Sequence, residues 1–342
     1  MRVLITGHAG YIGSVMAPFM TSAGHDVAGL DIGYFDGCDF GSGPEPVPGS
    51  NLDLRDVRAE HLEGYDAVVH LAGLSNDPLG SLDPEVTYGI NFGASVRLAL
   101  SAKAAGVPRF LFASSCSLYG KAGDTPIDES SPLGPVTPYA ETKAWFERAL
   151  APMADDDFSP TYLRNATAHG SSPRLRGDLV VHNLLASAMS SGQVLIKSDG
   201  SPWRPLIHVE DICRGFLAVL EAPREVVHDQ AFNVGRDDQN YQVRDIANIV
   251  AKAVPGSEVV YAPGGEPDAR DYRVDFSKIS SQLPEFKPQW NLEDSVADLR
   301  QAFQRYGAPL EVLDGPRHTR LRRIEELRRS GALDERLRWV SP

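Results

Sequence analysis

The chain has 342 residues, enough for two domains of ordinary size, and its 42% hydrophobic and 23% charged residues are close to globular averages, which excludes wholesale disorder. Its 33 basic and 46 acidic residues give a formal net charge of -13, so binding to nucleic acid or to an anionic membrane is not expected. No apolar stretch approaches the roughly 20 residues that span a bilayer, and no export leader precedes the first apolar segment, so we expect a cytoplasmic protein. The three cysteines form no CxxC pair, which suits a reducing compartment and predicts no structural metal site.

The first half of the chain alternates short apolar segments with longer amphipathic ones. Strands that alternate with helices are typical of an α/β fold with a parallel sheet covered on both faces. The predicted strands are residues 2–6, 26–31, 67–71 and 110–113, and the predicted helices lie near 11–23 and 84–105.

After about residue 170 the pattern loosens, because polar Gly- and Pro-rich segments separate helical stretches at 179–190 and 243–253. We expect a first domain at residues 1–165 and a smaller mixed α/β lobe at 166–342. Residues 205–235, and within them the strand-like segment 205–209, are expected to contribute to the first domain.

The end of the chain is rich in arginine. Residues 317–338 contain eight arginines, with apolar residues at roughly helical spacing. We expect a C-terminal basic helix that packs on the second lobe and keeps its arginine face in solvent.

A glycine-rich loop, Gly7-His8-Ala9-Gly10-Tyr11-Ile12-Gly13, follows the first predicted strand and leads into a helical pattern. Glycines at this spacing allow a tight turn, close approach of a pyrophosphate to the helix N-terminus, and close helix packing. Asp31 ends the second predicted strand, where its carboxylate can bind an adenosine ribose and repel a 2′-phosphate, so NAD is favoured over NADP. Asp53 is a candidate for the adenine amino group, or equally for a helix cap before Val57.

Tyr139 and Lys143 are four residues apart, on one face of a helix predicted to start just after Pro138. A lysine ammonium and the positive nicotinamide of bound NAD both lower the pKa of a nearby tyrosine. The resulting phenolate can accept a hydroxyl proton while a hydride leaves the same carbon. Ser115, near the end of another strand, offers a hydroxyl that shares this proton. Ser115, Tyr139 and Lys143 are therefore the predicted catalytic residues.

Taken together, these motifs resemble the extended short-chain dehydrogenase/reductase family, and in particular its NAD-dependent sugar-nucleotide 4-epimerases. The resemblance extends over nearly the whole chain and includes His70-Leu71-Ala72-Gly73 and the segment 204–211. It implies a Rossmann-like, doubly wound domain that holds NAD, a lobe that holds a nucleotide diphosphate sugar, and a homodimer. The further cofactor contacts that it implies are Leu54, Leu71, Ala72, Gly73 and Asn91. The substrate contacts that we assign with it are Ser75, Ser117, Asn165, Thr167, Leu179, Asn183, Arg204, Arg270 and Arg273.

Three positions depart from the family pattern. Thr167 stands where the family has an asparagine, so the contact falls to Thr167, passes to Asn165, or is lost. Ser75 stands where a lysine is frequent, which removes one cation near the cofactor. A phosphate-binding arginine near the end of the substrate lobe is Arg270 or Arg273, unless these side chains only form surface ion pairs.

The resemblance also bears on the reaction. Related 4,6-dehydratases carry an Asp-Glu pair where this chain has Cys116 and Ser117, so elimination of water is disfavoured, and Cys116 is expected to be a buried thiol. His70 and His208 lie in apolar segments, which predicts core histidines with satisfied hydrogen bonds and no metal site. Epimerisation at C4 through a transient 4-keto sugar is the favoured reaction. The alternatives are a dehydratase, an oxidative decarboxylase, and a non-catalytic NAD-sensing module.

Overall fold

A computed structural model describes residues 1–121, 125–264, 271–307 and 309–340. The strands in this part of the chain are β1 (Arg2–Thr6), β2 (Asp26–Asp31), β3 (Gly49–Asn51), β4 (Ala67–His70), β5 (Arg109–Ser115), β6 (Ser159–Asn165), β7 (Thr167–His169), β8 (Gln193–Ile196), β9 (Trp203–His208), β10 (Gln230–Val234), β11 (Asn240–Gln242) and β12 (Glu258–Tyr261). The α-helices are α1 (Gly13–Ser22), α2 (Asp77–Gly80), α3 (Pro84–Thr87), α4 (Ser95–Ala104), α5 (Pro138–Leu150), α6 (Val180–Ser191), α7 (Val209–Glu221), α8 (Arg224–Val227), α9 (Val243–Ala253), α10 (Ser277–Gln282), α11 (Leu292–Tyr306), α12 (Leu310–Leu313) and α13 (Arg320–Arg329).

The main sheet has seven parallel strands in the order β3-β2-β1-β4-β5-β6-β10. Alternate residues of one strand enter different apolar clusters: Val3 and Ile5 of β1 pack on one side, and Leu4 packs on the other. Both faces of the sheet are therefore covered, as in doubly wound folds. The predicted Rossmann-like fold is confirmed. The strand order reverses between β1 and β4, and a crevice forms at the carboxyl ends of the strands at such a point.

The second lobe is built on two small sheets, β11-β9-β7 and β12-β8, with α6, α9 and α11 around a separate apolar cluster. The prediction that segment 205–209 returns to the first domain is wrong, because β9 pairs with β7 and β11. The strand that returns is β10, which lies beside β6 with Phe232 opposite Leu163. Both side chains are fully buried in the same cluster, and this packing selects β10 for the sheet edge.

The packing of the C-terminal segment, residues 309–340, differs from the packing predicted from the sequence. Helix α13 packs on the first domain rather than on the second lobe, because Ile324 and Leu327 fit an apolar surface that includes Tyr34 and Leu79. One arginine of the helix, Arg320, is buried instead of facing solvent. Within the described ranges, no helix has both the length and the apolar character needed to cross a membrane.

Candidate active site

A cleft of about 410 Å³ runs along the carboxyl ends of β1, β2, β4 and β5 and is also lined by residues of the second lobe. Ligands of doubly wound proteins bind in this place. The cleft brings together most of the residues predicted from the sequence, namely Gly7, Gly10, Tyr11, Ile12, Gly13, Asp31, Asp53, Leu54, Leu71, Ala72, Gly73, Ser75, Ser115, Ser117, Tyr139, Lys143, Asn165, Thr167, Leu179 and Arg204.

The glycine loop connects β1 to α1 with no room for side chains at two of its glycines. Gly7 has φ +75°, and its N–H donates to the carbonyl oxygen of Leu30 at 2.7 Å. A Cβ atom on Gly13 would lie 2.2 Å from the carbonyl oxygen of Gly7, and one on Gly7 would lie 2.8 Å from the nitrogen of Ala72. The backbone of the loop and the first turn of α1 therefore form the cleft wall, an arrangement that fits a pyrophosphate.

Two carboxylates line the next part of the cleft. Asp31 accepts hydrogen bonds from the N–H groups of Ala9 (3.1 Å) and Gly33 (2.9 Å), which fix its carboxylate at the end of β2. Asp53 accepts from the N–H of Arg55 at 2.8 Å, and the two side chains form an ion pair of 2.6 Å. Asp53 is thus a helix cap, as one of its two predicted roles had it, but the short 3₁₀ helix that it caps is Leu54–Asp56 and begins three residues before Val57.

Helix α5 and strand β5 bring three of the predicted residues together. The helix begins at Pro138, one residue before its predicted start, and Thr137 caps it by accepting from the N–H of Ala140 at 3.2 Å. Tyr139, in the first turn, lines the cleft together with Ser115 at the end of β5. One turn later, the Nζ of Lys143 lies 5.5 Å from the centroid of the Tyr139 ring.

Burial dominates the acid-base properties of this cluster. It raises the pKa of Tyr139 to about 12, helped by the charge of Asp77 and opposed by Arg176 and by the hydrogen bond from Ser115. Burial likewise lowers the pKa of Lys143 to about 8, which the charge of Glu147 partly offsets. The chain's own groups therefore do not lower the pKa of Tyr139 as the sequence suggested, because removing the phenolate from water outweighs the neighbouring charges.

A buried ion pair between Glu147 and Arg164 lies next to the cluster. Glu147 accepts from the Oγ of Ser114 at 2.5 Å and from the Nη2 of Arg164 at 2.7 Å, and both charged side chains are buried. These bonds connect α5 to the ends of β5 and β6. Glu147 was not predicted as a functional residue, although its spacing of four from Lys143 on one helix face was a signal.

Among the described residues, three of the predicted contacts are not found in the cleft lining. Asn91 instead holds the backbone of Leu74, accepting from its N–H at 2.7 Å and donating to its carbonyl oxygen at 3.0 Å, so it supports the strand end beside Gly73. Asn183 donates to Asp314 at 3.4 Å, because its helix turn faces the C-terminal segment. Arg273 stacks on Trp203, with 4.7 Å between the guanidinium carbon and the ring centroid. Another predicted contact, Arg270, lies outside the described residues.

The cleft also contains arginines that sequence reasoning did not assign to it. Arg176 donates two hydrogen bonds of 2.9 Å to Asp178 and one of 3.4 Å to the carbonyl oxygen of Ser75. A cation is therefore present beside Ser75, where the family's lysine is missing. The second arginine of the cleft is Arg320, which belongs to α13. The only signal for Arg176 was its place in the polar segment after Gly170.

Three other predictions concern buried side chains. Cys116 is a buried thiol whose Sγ donates to the carbonyl oxygen of Arg164 at 3.1 Å, and burial raises its pKa. His70 is a satisfied core histidine, with hydrogen bonds of 2.8 Å to Thr6 and to Ser95. His208 is buried too, and its Nδ1 accepts from the N–H of Glu210 at 3.2 Å, but its Nε2 has no hydrogen-bond partner among the described residues, so its hydrogen bonds are only partly satisfied. No group of three potential metal ligands occurs in the part of the chain that the structure describes.

Comparisons with known proteins agree with this geometry. Residues 3–235 match the model of the NAD dependent epimerase/dehydratase family. A UDP-glucose 4-epimerase of Lactobacillus helveticus is 30% identical over 325 residues, 87% of this chain and 95% of that protein. The structure of MoeE5 in complex with UDP-glucuronic acid and NAD is 25% identical, covers 89% of this chain and 99% of its own, and has a TM-score of 0.76. TunA, an NAD-dependent NDP-hexosamine 5,6-dehydratase, shares the fold with a TM-score of 0.78, covers 91% and 99% of the two chains, and is 23% identical.

The family match spans the glycine loop, Asp31 and the cluster at the ends of β5 and α5, which are the features that the cleft brings together. The matched residues also include β10, the last strand of the main sheet. The chain therefore belongs to the NAD-dependent epimerase/dehydratase family, and its cofactor is NAD.

Proposed function

We propose that this protein is an epimerase that inverts C4 of a nucleotide diphosphate sugar through a transient 4-keto sugar. The observation that carries the proposal is the cluster of Ser115, Tyr139 and Lys143 at the inner wall of the cleft. Relatives named UDP-glucose 4-epimerase, from several bacteria, are 27 to 31% identical to this chain, which supports the same reaction class.

The glycine loop and Asp31 are the groups that would hold NAD. The loop offers the N-terminus of α1 to the pyrophosphate, and the carboxylate of Asp31 would accept hydrogen bonds from the adenosine ribose. When bound, NAD takes a hydride from the sugar and returns it, and its positive nicotinamide favours the phenolate of Tyr139.

Tyr139 would act as the acid-base group. Its Oη takes the proton of the C4 hydroxyl as that carbon is oxidised, and it gives the proton back when the ketone is reduced. Ser115, which lines the cleft with Tyr139 and lowers the pKa of its hydroxyl, would stabilise the oxygen that exchanges this proton. Lys143 is positioned by a bond of 2.7 Å to the carbonyl oxygen of Ala113 and supplies the positive charge beside the phenol.

The positions after Ser115 favour epimerisation over elimination. Loss of water from a sugar needs both an acid and a base besides the redox step. Cys116 is buried with a raised pKa and already donates to a backbone carbonyl, and Ser117 has no ionisable group in the working pH range. Neither side chain can therefore replace a carboxylic acid.

Polar groups at the other side of the cleft fit a sugar nucleotide. The Oγ of Ser117 and the Oδ1 of Asn165 are buried in the cleft and have no hydrogen-bond partner among the described residues. Sugar hydroxyls would satisfy such atoms. Arg204 and Thr167 enter the cleft from the second lobe, where we assign Arg204 to the diphosphate and Thr167 to the sugar.

We further propose a cytoplasmic homodimer formed through the helices near 84–105 and 138–151. Leu100 and Trp145 are 51% and 38% exposed on these helices, which leaves apolar surface for a second copy. Analytical ultracentrifugation of wild type and of Trp145→Glu tests this assembly. A wild-type monomer at micromolar concentration would contradict it.

A screen of UDP-, GDP-, CDP-, ADP- and dTDP-sugars, followed by NMR and mass spectrometry, tests the reaction. An epimer has the mass of its substrate, and the coupling constants of its C4 proton differ from those of the substrate. Loss of water would indicate a dehydratase, and loss of carbon dioxide would indicate a decarboxylase. If the protein binds NAD and leaves every sugar nucleotide unchanged, the NAD-sensing alternative is supported instead.

A further inference from the structure

The C-terminal segment forms hydrogen bonds with the loop that follows Asp31. The indole N–H of Trp339 donates to the carbonyl oxygen of Ile32 at 2.7 Å, and the hydroxyl of Tyr34 donates to the carbonyl oxygen of Leu337. Arg338 forms an ion pair of 2.6 Å with Asp56. The segment therefore lies along the side of the cleft where the adenosine half of a dinucleotide would bind.

One side chain of this segment reaches the cleft itself. Arg320 is only 2% exposed, lines the cleft, and donates from its Nη2 to the carbonyl oxygen of Arg174 at 2.8 Å. Its guanidinium carbon lies 4.2 Å from the centroid of the Phe35 ring. No carboxylate lies within ion-pair distance of Arg320 in the described ranges, although a buried guanidinium is normally paired with an anion.

The charge of Arg320 remains at neutral pH. Burial is the main cause that lowers its pKa to about 10, with Arg176 acting in the same direction and Asp178 against it. The charge of Arg176 is balanced by its two bonds to Asp178, whereas no carboxylate is bonded to Arg320 among the described residues.

The charge of Arg320 also acts on the hydroxyl of Tyr11. Burial raises the pKa of Tyr11, a residue of the loop, and the charges of both Arg176 and Arg320 oppose that rise. Phe35, on which Arg320 stacks, follows Asp31 by four residues and also lines the cleft. Arg320 therefore lines the same cleft as the glycine loop and stacks on a residue of the segment that follows Asp31, the predicted ribose contact.

We propose that Arg320 binds the pyrophosphate of NAD, so that the C-terminal segment completes the cofactor site. A guanidinium offers two parallel N–H groups to a phosphate, and the anion would supply the partner that the protein itself does not provide. The inference depends on NAD as the cofactor and is independent of which sugar the protein converts.

The test is a calorimetric titration of the full chain, freed of bound nucleotide, with NAD, ADP-ribose, adenosine and UDP. We expect Arg320→Met, which retains the packing on Phe35, to weaken NAD and ADP-ribose by about tenfold or more while adenosine is unaffected. The matched control is Arg322→Met, an exposed position of the same helix, which should bind NAD as the wild type does. Because no sugar nucleotide is converted in this experiment, its result is independent of the proposed reaction.

Three outcomes would overturn the proposal. Wild-type affinity of Arg320→Met for NAD would show that the arginine makes no contact with the cofactor. Weakened UDP binding with unchanged NAD binding would assign Arg320 to the substrate diphosphate. If circular dichroism shows that Arg320→Met does not fold, Arg320→Lys is titrated instead. An ammonium lacks the two parallel N–H groups of a guanidinium, so we expect the NAD affinity of this variant to be several-fold below wild type. Full NAD affinity of Arg320→Lys would refute the contact.

Discussion

Lys143 donates a hydrogen bond of 2.7 Å to the carbonyl oxygen of Ala113, two residues before Ser115. This bond joins α5 to the end of β5, and it fixes the depth at which Tyr139 enters the cleft. The geometry of the cluster thus depends on a helix and a strand of the main sheet rather than on mobile loops, which suits groups that must meet a reacting atom closely.

Tyr139→Phe should abolish turnover without changing the fold. The variant keeps the ring and its packing but loses the hydroxyl that exchanges the proton, so kcat should fall by at least about 10²–10⁴-fold. Steady-state kinetics on the substrate found in the screen, with NAD titrations and thermal unfolding beside them, would measure this. Substantial remaining kcat would remove Tyr139 from the acid-base role.

Alanine substitutions in the glycine loop should have unequal effects. The Cβ of Gly13→Ala would lie 2.2 Å from the carbonyl oxygen of Gly7, whereas that of Gly10→Ala would lie 3.2 Å from the same atom. We expect Gly13→Ala to lose NAD binding or soluble expression, because backbone must move to admit the methyl group, and Gly10→Ala to be milder. NAD titration of both variants checks the order, and equal affinities would contradict it.

Glu147→Gln should destabilise the protein strongly. The substitution leaves the buried guanidinium of Arg164 without its counter-charge, which costs about 3–5 kcal/mol for buried pairs of this kind. The control is Glu326→Gln, which removes the partner of Arg323 from a pair whose acidic side chain is 46% exposed, and should cost about 1 kcal/mol or less. Free energies of unfolding in urea measure both, and similar losses in the two variants would refute the argument.

Burial of His70 predicts a loss of stability in acid. Burial lowers its pKa in the folded protein to about 3, whereas the unfolded chain has the ordinary value of about 6.5. Below about pH 6.5 the unfolded state therefore binds a proton that the folded state does not, so this contribution to stability is present above pH 6.5 and is lost towards pH 3.

His70→Gln removes the titrating group while keeping hydrogen-bonding atoms. Between pH 6 and 5, its free energy of unfolding should fall by about 1 kcal/mol less than that of the wild type. Denaturant unfolding at pH 7, 6 and 5 gives both slopes. Parallel slopes would mean that His70 takes up its proton without unfolding.

Much of the fold and of the candidate site could be predicted from patterns within short segments of the sequence. The strand at 26–31 and the helix at 243–253 have the predicted bounds, because each depends on apolar periodicity within a few residues. The glycine loop and the spacing of Tyr139 and Lys143 were equally local signals, since a tight turn and a helix face are set by neighbours in the chain. They were enough to predict the doubly wound fold, NAD, and the cluster in the cleft.

The tertiary structure decided what depends on partners distant in the chain. Periodicity does not show which apolar strand fills a sheet edge, so β9 was mistaken for the strand that returns, and β10 takes that position through its packing on β6. The arginine-rich end was read as a solvated face, because a sequence displays charge but not the surface that covers it. Only the folded chain buries Arg320 in the cleft that the glycine loop also lines. A buried charge without a carboxylate partner is costly in a low dielectric, and this cost is the reason to expect an anionic ligand at Arg320.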